Sequence, residues 1–257
     1  MSEVDDIRFF YMPGCSSCQR TKEFLVAYDV DFEPVNVVER PEERKFLSSI
    51  GIDMVPAVSR GGAGTEAVLL DRVARFLELD YASPVKLSPD ELYQRYFDIN
   101  RIAQGFVKDM PAEHLEFHFP ERPRPFIALA HHAFHIGAAF LHCYRNGELP
   151  FHLMETPIPG ELRDGEAMAG YGAAVLADME RWWEEHGQYD PFLREVDTYF
   201  GRATLHEVYE RCVWHTAQHV RQLEMFLAHF DVPVSRPLRA DDLAGLPLPE
   251  GVWLSAM

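Results

Sequence analysis

Two groups of residues in this sequence have types and spacings that could do chemistry. Near the N-terminus, the run YMPGCSSCQR contains Cys15 and Cys18, separated by two residues. Far downstream, the run WHTAQH places His215 and His219 four residues apart. Thiols at the first spacing exchange disulfides, and imidazoles one helical turn apart can reach a single metal ion. The sequence therefore contains two candidate centres, and the question is which of them carries the function.

The cysteine pair is predicted to stand at the start of a helix. CQRTKEFLVAY has helical spacing of apolar residues and follows the turn at Pro13-Gly14. The partial positive charge of a helix N-terminus stabilises a thiolate on Cys15, and Cys18, one turn further on, can resolve a mixed disulfide. Half of a zinc site is the alternative, but residues 1–80 contain no other cysteine and no histidine to complete it. Cys15 and Cys18 are therefore the predicted catalytic residues.

All twelve histidines lie after residue 113. The pair His215 and His219 could instead be two partly buried histidines beside an apolar helix stripe. A metal site needs a third ligand, and the run HHAFH offers His131, His132 and His135. Periodicity does not choose well among these three, because that helix is apolar nearly all round. His132 shares a stripe with apolar residues that would point it into a helical core.

The chain is predicted to form two domains of different class. Residues 1–80 alternate strands and helices, which indicates an α/β domain. Two prolines and little periodicity mark residues 81–89 as a linker. Residues 90–235 contain four long helical patterns, which predict an all-α antiparallel four-helix bundle. Residues 236–257 are expected to form a C-terminal tail on the surface.

The charge and the apolar pattern narrow the classes of partner. The sequence has 24 Lys and Arg against 41 Asp and Glu, a formal net charge of −17. This balance argues against nucleic acid and against anionic membrane surfaces. The most apolar stretch, FIALAHHAFHIGAAFL, is interrupted by histidines, and the acidic start MSEVDDIRFF does not look like a signal peptide. A cytoplasmic location without membrane insertion is expected.

The first domain resembles the glutaredoxins over residues 7–80. The runs FFYMPGCSSCQRTKEFL and MVPAV carry the resemblance. It implies a thioredoxin-like fold with Cys15 as nucleophile and Cys18 as the resolving cysteine. It also implies that Val55-Pro56, with Pro56 in the cis form facing the dithiol, helps to bind the cofactor. That cofactor would be a low-molecular-weight thiol such as glutathione.

The second domain resembles the DinB/YfiT-like metalloenzymes over roughly residues 90–230. The runs RPFIALAHHAFHI and LHEVYERCVWHTAQHVRQLEMFL carry this resemblance. It implies a divalent metal bound by His132, His215 and His219. Three imidazoles leave a coordination position open, as in catalytic zinc sites. Zinc is the default metal, and nickel, iron or cobalt would also suit imidazole ligands.

Two functions follow from these resemblances. In the first, the bundle is a metal-dependent, thiol-dependent transferase or isomerase, and the glutaredoxin-like domain performs thiol–disulfide exchange. In the second, the protein is a dithiol oxidoreductase whose bundle is a binding or dimerisation module. The expected partners are a small-molecule thiol and an electrophilic or disulfide substrate, and a homodimer is compatible with the resemblance.

Overall fold

The computed structural model describes residues 6–120 and 124–253. Within these ranges the chain folds as two compact units. The first runs to Val85 and resumes at Pro249, and the second is Lys86–Leu248. The division between them falls inside the predicted linker at residues 81–89.

The first unit is built on a four-stranded mixed sheet in the order β2-β1-β3-β4. Its strands are β1 (Ile7–Tyr11), β2 (Glu33–Asn36), β3 (Ala57–Arg60) and β4 (Ala63–Glu66). Strand β1 is parallel to β2 and antiparallel to β3, and β3 is antiparallel to β4. The helices are α1 (Ser16–Ala27), α2 (Glu43–Ser49) and α3 (Leu70–Leu77). This arrangement is the predicted thioredoxin-like one.

The core of the first unit fixes where α1 begins. Phe9 and Phe10 are neighbours on β1, so their side chains point to opposite faces, and both are fully buried. Strand β1 is therefore covered on both sides, which explains why its sequence is apolar without alternation. Cys18 and Leu25 of α1 are also fully buried in this core. The end of β1 and the start of α1 are therefore anchored in one apolar core.

Four long helices make up most of the second unit. They are α4 (Pro89–Asp109), α5 (Phe126–Asn146), α6 (Gly165–Glu185) and α7 (Leu205–His229). Both α4 and α5 pack against α6 and against α7. Ser88 is the N-cap of α4 and forms a reciprocal capping box with Glu91. Thr204 and Glu207 form a second capping box at the start of α7.

The second unit also contains a small sheet, so the prediction of an all-α domain was wrong in this respect. The strands are β5 (Glu148–Leu149), β6 (Glu195–Thr198) and β7 (Gly201–Thr204). Strand β5 pairs in parallel with β6, which forms a hairpin with β7. Strands of two to four residues carry little periodic signal, and the partner of β5 lies far along the chain. Neither feature can be read from local patterns.

Helix α5 is the one described helix that is long and apolar enough to span a membrane by length and composition. In the most apolar 18-residue stretch of α5, 72% of the residues are buried inside the protein. Helices α6 and α7 both pack against α5. Its apolar character therefore matches that of a core helix with few exposed positions.

The C-terminal region differs from the predicted tail at residues 236–257. Residues up to Leu248 belong to the second unit and include the short helix α8 (Ala240–Leu243), whose Asp242 is buried. From Pro249 the chain belongs to the first unit. There the backbone N–H groups of Glu250 and Gly251 donate to the Glu23 carboxylate on α1. Long-range contacts of this kind leave no local sequence pattern.

Candidate functional sites

The predicted dithiol lies at the N-terminus of α1. Cys15 is the N-cap residue, and its Sγ accepts a hydrogen bond of 3.0 Å from the backbone N–H of Cys18. The two cysteines form a disulfide. Cys15 is partly exposed, whereas Cys18 is fully buried. Cys15 is thus the sulfur that a substrate can reach, and the helix N-terminus would stabilise its thiolate.

Val55 and Pro56 lie in the core of the same unit. The peptide bond between them is cis, as the glutaredoxin resemblance implied. Both residues are buried, and Val55 belongs to the apolar cluster that contains Cys18 and against which Cys15 packs. The carbonyl of Pro56 accepts from the backbone N–H of Ala67, which fixes the start of β3. Val55 and the two cysteines thus share one apolar core.

In the second unit, His132, His215 and His219 come together. One ring nitrogen from each lies within 4.8 Å of the others. His132 comes from α5 and the other two from successive turns of α7, so the contact between these two helices assembles the group. His215 and His219 are 7% and 2% exposed, and His132 is half-buried. Within residues 6–120 and 124–253, no other three potential metal ligands come this close.

The surroundings favour the neutral form of His132 and of His215. Burial lowers the pKa of His132 well below its usual range, and the charges of His219, Arg124 and Arg211 lower it further. Burial, followed by Arg211 and His219, has the same effect on the pKa of His215. A neutral imidazole has a lone pair to offer, which is the form in which histidine binds a metal.

Hydrogen bonds orient the two histidines of α7. The Nε2 atoms of His215 and His219 are 3.0 Å apart, and His219 Nδ1 lies 2.8 Å from the side-chain oxygen of Gln222. That oxygen is an acceptor, so His219 Nδ1 carries the hydrogen and its Nε2 carries the lone pair. On the other side, Arg211 Nη1 lies 3.4 Å from His215 Nδ1. Both partners are on α7 itself, so the helix positions ligands and supports together.

The other two histidines of the HHAFH run lie outside this group. His131 stacks on His135 and on Tyr171 of α6, with ring centroids 5.4 and 5.2 Å away. His135 Nδ1 is 2.7 Å from the Tyr171 hydroxyl, and its Nε2 is 3.0 Å from the Thr156 hydroxyl. Desolvation and the charge of His135 lower the pKa of His131 to about 4. The turn of α5 thus directs His132 to the α7 pair and its neighbours towards α6.

Sequence reasoning missed the partners of the α7 pair. The neighbouring Gln218 and Arg221 bond to each other, with Arg221 donating to the Gln218 oxygen at 2.8 Å. The hydrogen bonds to the pair come from Gln222 and Arg211. Helical spacing could have identified both, because Gln222 is three residues after His219 and Arg211 is four before His215. Arg124, whose charge lowers the pKa of His132 and of His215, precedes α5, so helical spacing could not have identified it.

Comparisons with known proteins bear on the first unit. The family model described as Glutaredoxin matches residues 7–63. Three curated proteins named Global transcriptional regulator Spx, from Streptococcus pyogenes serotypes M3, M1 and M18, are each 32% identical over 74 residues. That stretch covers 29% of this chain and 50% of each relative. The chain thus spans about half the length of the curated relatives it matches.

The comparisons and the fold agree on the character of the first unit. It is a glutaredoxin-like domain with a thioredoxin-like sheet and a Cys15–Cys18 pair at the start of α1. Such a domain supports thiol–disulfide exchange. The part of the chain that follows is rich in helix.

Proposed function

We propose that this protein is a metal-dependent, low-molecular-weight-thiol-dependent transferase or isomerase of the DinB type, with a glutaredoxin-like domain for thiol–disulfide exchange. One observation carries the proposal. His132, His215 and His219 converge from two helices to within 4.8 Å in a largely buried site. We take this convergence as support for a shared ligand, because histidines with separate structural roles would not need to bring their ring nitrogens together.

The donor atoms fit a divalent metal. Two nitrogens bound tetrahedrally at 2.0–2.1 Å from one zinc ion are about 3.3 Å apart. The Nε2 atoms of His215 and His219 are 3.0 Å apart, close to that separation. The Gln222 oxygen favours the tautomer of His219 whose Nε2 carries the lone pair, as partners of metal-binding histidines generally do. Zinc is the first candidate, and nickel, iron or cobalt would accept the same donors.

The arrangement of the helices also favours the DinB resemblance. Four helices of 21 to 25 residues pack so that each of α4 and α5 touches both α6 and α7. An antiparallel four-helix bundle with ligands projecting inward from facing helices would have these contacts. We propose that the second unit is such a bundle.

The residues of the histidine site have distinct tasks. A bound metal would polarise an electrophile or hold a thiol as its thiolate at the open position. His132, His215 and His219 would hold the ion, and Gln222 would orient His219 through its Nδ1 hydrogen. The burial of His215 and His219 keeps bulk water from their nitrogens. Arg211, whose Nη1 lies 3.4 Å from His215 Nδ1, would orient that ring from the side away from His219.

The dithiol would process the thiol that the reaction uses. The Cys15 thiolate attacks one sulfur of a mixed disulfide, which breaks the S–S bond and releases one thiolate. The Cys18 thiolate then attacks Cys15 Sγ and releases the second thiol, leaving the Cys15–Cys18 disulfide that the structure contains. Two thiols of an external reductant such as glutathione return the pair to the dithiol. Val55-Pro56 would bind the backbone of that thiol.

An alternative is supported by the first unit alone. The Cys15–Cys18 pair, with one sulfur partly exposed, suffices for a dithiol oxidoreductase whose helical unit only binds or dimerises. The relatives named as transcriptional regulators do not favour nucleic acid as a partner here, because the net charge of −17 opposes it.

Two variants of the full chain separate these functions. Cys15→Ser and His215→Ala are each assayed for reduction of a small disulfide and for consumption of electrophiles with a panel of small thiols. The proposal expects His215→Ala to abolish thiol addition and to leave disulfide reduction intact. If no electrophile is consumed by the wild type with any thiol, the oxidoreductase alternative stands.

A further inference from the structure

One buried hydroxyl in the first unit lies between two segments of the dithiol site. Thr21 stands in the second turn of α1 and is 1% exposed. Its Oγ1 lies 2.7 Å from the carbonyl oxygen of Ala67, just after β4, and 3.0 Å from that of Ser17 in the first turn of α1. A threonine hydroxyl has one hydrogen to donate. That hydrogen is therefore directed to Ala67, the nearer acceptor, or shared between the two carbonyls.

Ser17 places one end of this link inside the dithiol motif. It is one of the two residues between Cys15 and Cys18. It lies in the first turn of α1, whose N-cap is Cys15, and the backbone N–H of Gln19 donates to the Cys15 carbonyl at 3.1 Å. The backbone bonds of α1 therefore hold Ser17 in place relative to both sulfurs.

Ala67 leads from the other end of the link to Val55-Pro56. Its backbone N–H donates to the Pro56 carbonyl at 2.9 Å, which extends the antiparallel pairing of β3 and β4 by one residue. Ala67 is fully buried, and its two backbone groups bond to different segments, the N–H to Pro56 and the carbonyl to Thr21. Two successive hydrogen bonds thus join α1 to the proposed thiol-binding pair.

A neighbouring contact reaches the same segment but is longer and less buried. Arg20 Nη1 lies 3.4 Å from the carbonyl oxygen of Val68, the residue after Ala67. The Thr21 bond is 0.7 Å shorter, and both of its partners are buried. A hydrogen bond shielded from water is electrostatically stronger than an exposed one, so Thr21 is the better placed of the two to set the distance.

We propose that Thr21 is a positioning residue for thiol–disulfide exchange, and that its hydroxyl, through Ala67, sets the spacing between the Cys15–Cys18 pair and Val55-Pro56. The inference rests on the proposed function, in which Cys15 attacks a disulfide while Val55-Pro56 binds the backbone of the attached thiol. Without the hydroxyl, the carbonyl oxygens of Ser17 and Ala67 would have no hydrogen between them and would repel each other. The Ala67 segment would then move away from α1 and carry Val55-Pro56 with it.

The affected step is binding of the disulfide, and formation of the thiolate is unaffected. Cys15 keeps its place at the N-terminus of α1 whichever side chain occupies position 21, so its reactivity with a small alkylating reagent should not change. A disulfide that carries a peptide backbone must also contact Val55-Pro56, so its half-saturating concentration should rise. A disulfide without a peptide backbone should react at an unchanged rate.

The experiment follows oxidation of the reduced full chain by an excess of disulfide in a single turnover. Oxidised glutathione carries a peptide backbone, and bis(2-hydroxyethyl) disulfide does not. In both reactions the dithiol gives two electrons and two protons to one disulfide, which yields the Cys15–Cys18 disulfide and two small thiols. Acid quenching, alkylation of the remaining thiols and intact mass give the rate at each concentration. The half-saturating concentration and the limiting rate follow from these rates.

Thr21→Val keeps the shape of the side chain and removes the hydroxyl. It should raise the half-saturating concentration of oxidised glutathione by about 2- to 10-fold, the factor that one hydrogen bond between uncharged groups contributes, and leave the limiting rate unchanged. Thr21→Ser retains the hydroxyl and should restore the wild-type value. Thr65→Val is the matched control, because this hydroxyl lies 3.3 Å from the carbonyl of its neighbour Glu66 in β4. Thr21→Ala, which favours helix, carries the same prediction if Thr21→Val does not fold.

The outcomes separate this inference from the proposed function. The inference stands if Thr21→Val weakens saturation by oxidised glutathione alone and leaves the alkylation of Cys15 by iodoacetamide unchanged. It is overturned if Thr21→Val matches the wild type, if both disulfides are affected equally, if Thr21→Ser behaves like Thr21→Val, or if oxidised glutathione does not saturate the wild type. Unfolding of both Thr21→Val and Thr21→Ala would also overturn it. A wild type that neither disulfide oxidises would instead contradict the exchange reaction of the proposed function, and the inference would fall with it.

Discussion

His215 Nε2 and His219 Nε2 face each other 3.0 Å apart on successive turns of α7, and the Gln222 oxygen holds His219 from the other side of its ring. This relationship brings two imidazole nitrogens of α7 close enough to reach one ion, as the proposed metal site requires. The imidazole of His132, from α5, completes the group. The proposed metal chemistry depends on this geometry.

Gln222 should control the affinity of the site for metal. Gln222→Met keeps the volume of a side chain that is 1% exposed but removes the oxygen that orients His219. Loss of such a partner typically weakens metal binding by about 10- to 100-fold. Competition with a chromophoric chelator measures the change. Gln188→Met, at a residue bonded only locally to Glu184, is the control, and an unchanged affinity in Gln222→Met would contradict the assignment.

The four cysteines should react very differently with alkylating reagents. Burial raises the pKa of Cys143 to about 11 and that of Cys212 still further, so both stay protonated and unreactive near pH 8. Once the disulfide is reduced, iodoacetamide should label Cys15 first. Peptide mass mapping measures the order in which the cysteines are labelled. Rapid labelling of Cys212 in the folded protein at pH 8 would contradict the described packing.

Replacement of Cys15 and replacement of Cys18 should have different effects on disulfide reduction. Cys15→Ser should lower the reduction of a small disulfide by at least about 1000-fold, because the attacking sulfur is gone. Cys18→Ser should instead accumulate a mixed disulfide on Cys15, which intact mass detects. Cys143→Ala is the control and should retain the wild-type rate. A Cys15→Ser protein that still reduces the substrate would exclude the assigned order of attack.

Helix α5 should depend on a glycine in the turn after His135. A Cβ at Gly137 would clash with the Tyr96 hydroxyl, so Gly137→Ala should lower the free energy of unfolding by about 1–3 kcal/mol. Gly170→Ala, in α6 and with no atom within 4 Å of the new Cβ, should instead raise it by up to about 1 kcal/mol. Chemical denaturation of both variants provides the comparison, and equal stabilities would show that α4 and α5 do not approach this closely.

The sequence was most informative where one helix contains all the interacting residues. The spacing of His215 and His219 indicated a shared face, and the same rule would have found Arg211 and Gln222. The choice of His132 needed a family resemblance, because α5 is buried on most sides and its apolar pattern has no single face. Arg124, whose charge lowers the pKa of His132 and of His215, lies outside the helices, so no periodicity could predict its influence.

The parts of the fold that were missed depend on distant segments. Strand β5 has two residues and acquires its structure only by pairing with β6. The return of Glu250 and Gly251 to Glu23 joins residues more than two hundred positions apart. The strands and helices of the first unit, by contrast, follow from short apolar runs bounded by glycine and proline.

The most direct test of the central claim is the metal content of the purified full chain and of its histidine variants. The account predicts about one divalent ion per chain in the wild type and in His131→Gln, whose side chain faces Tyr171. It predicts loss of that ion in His132→Ala, His215→Ala and His219→Ala, each with a wild-type circular dichroism spectrum. A wild type that holds no zinc, nickel, iron or cobalt after growth and reconstitution, or variants that all retain it, would contradict the account.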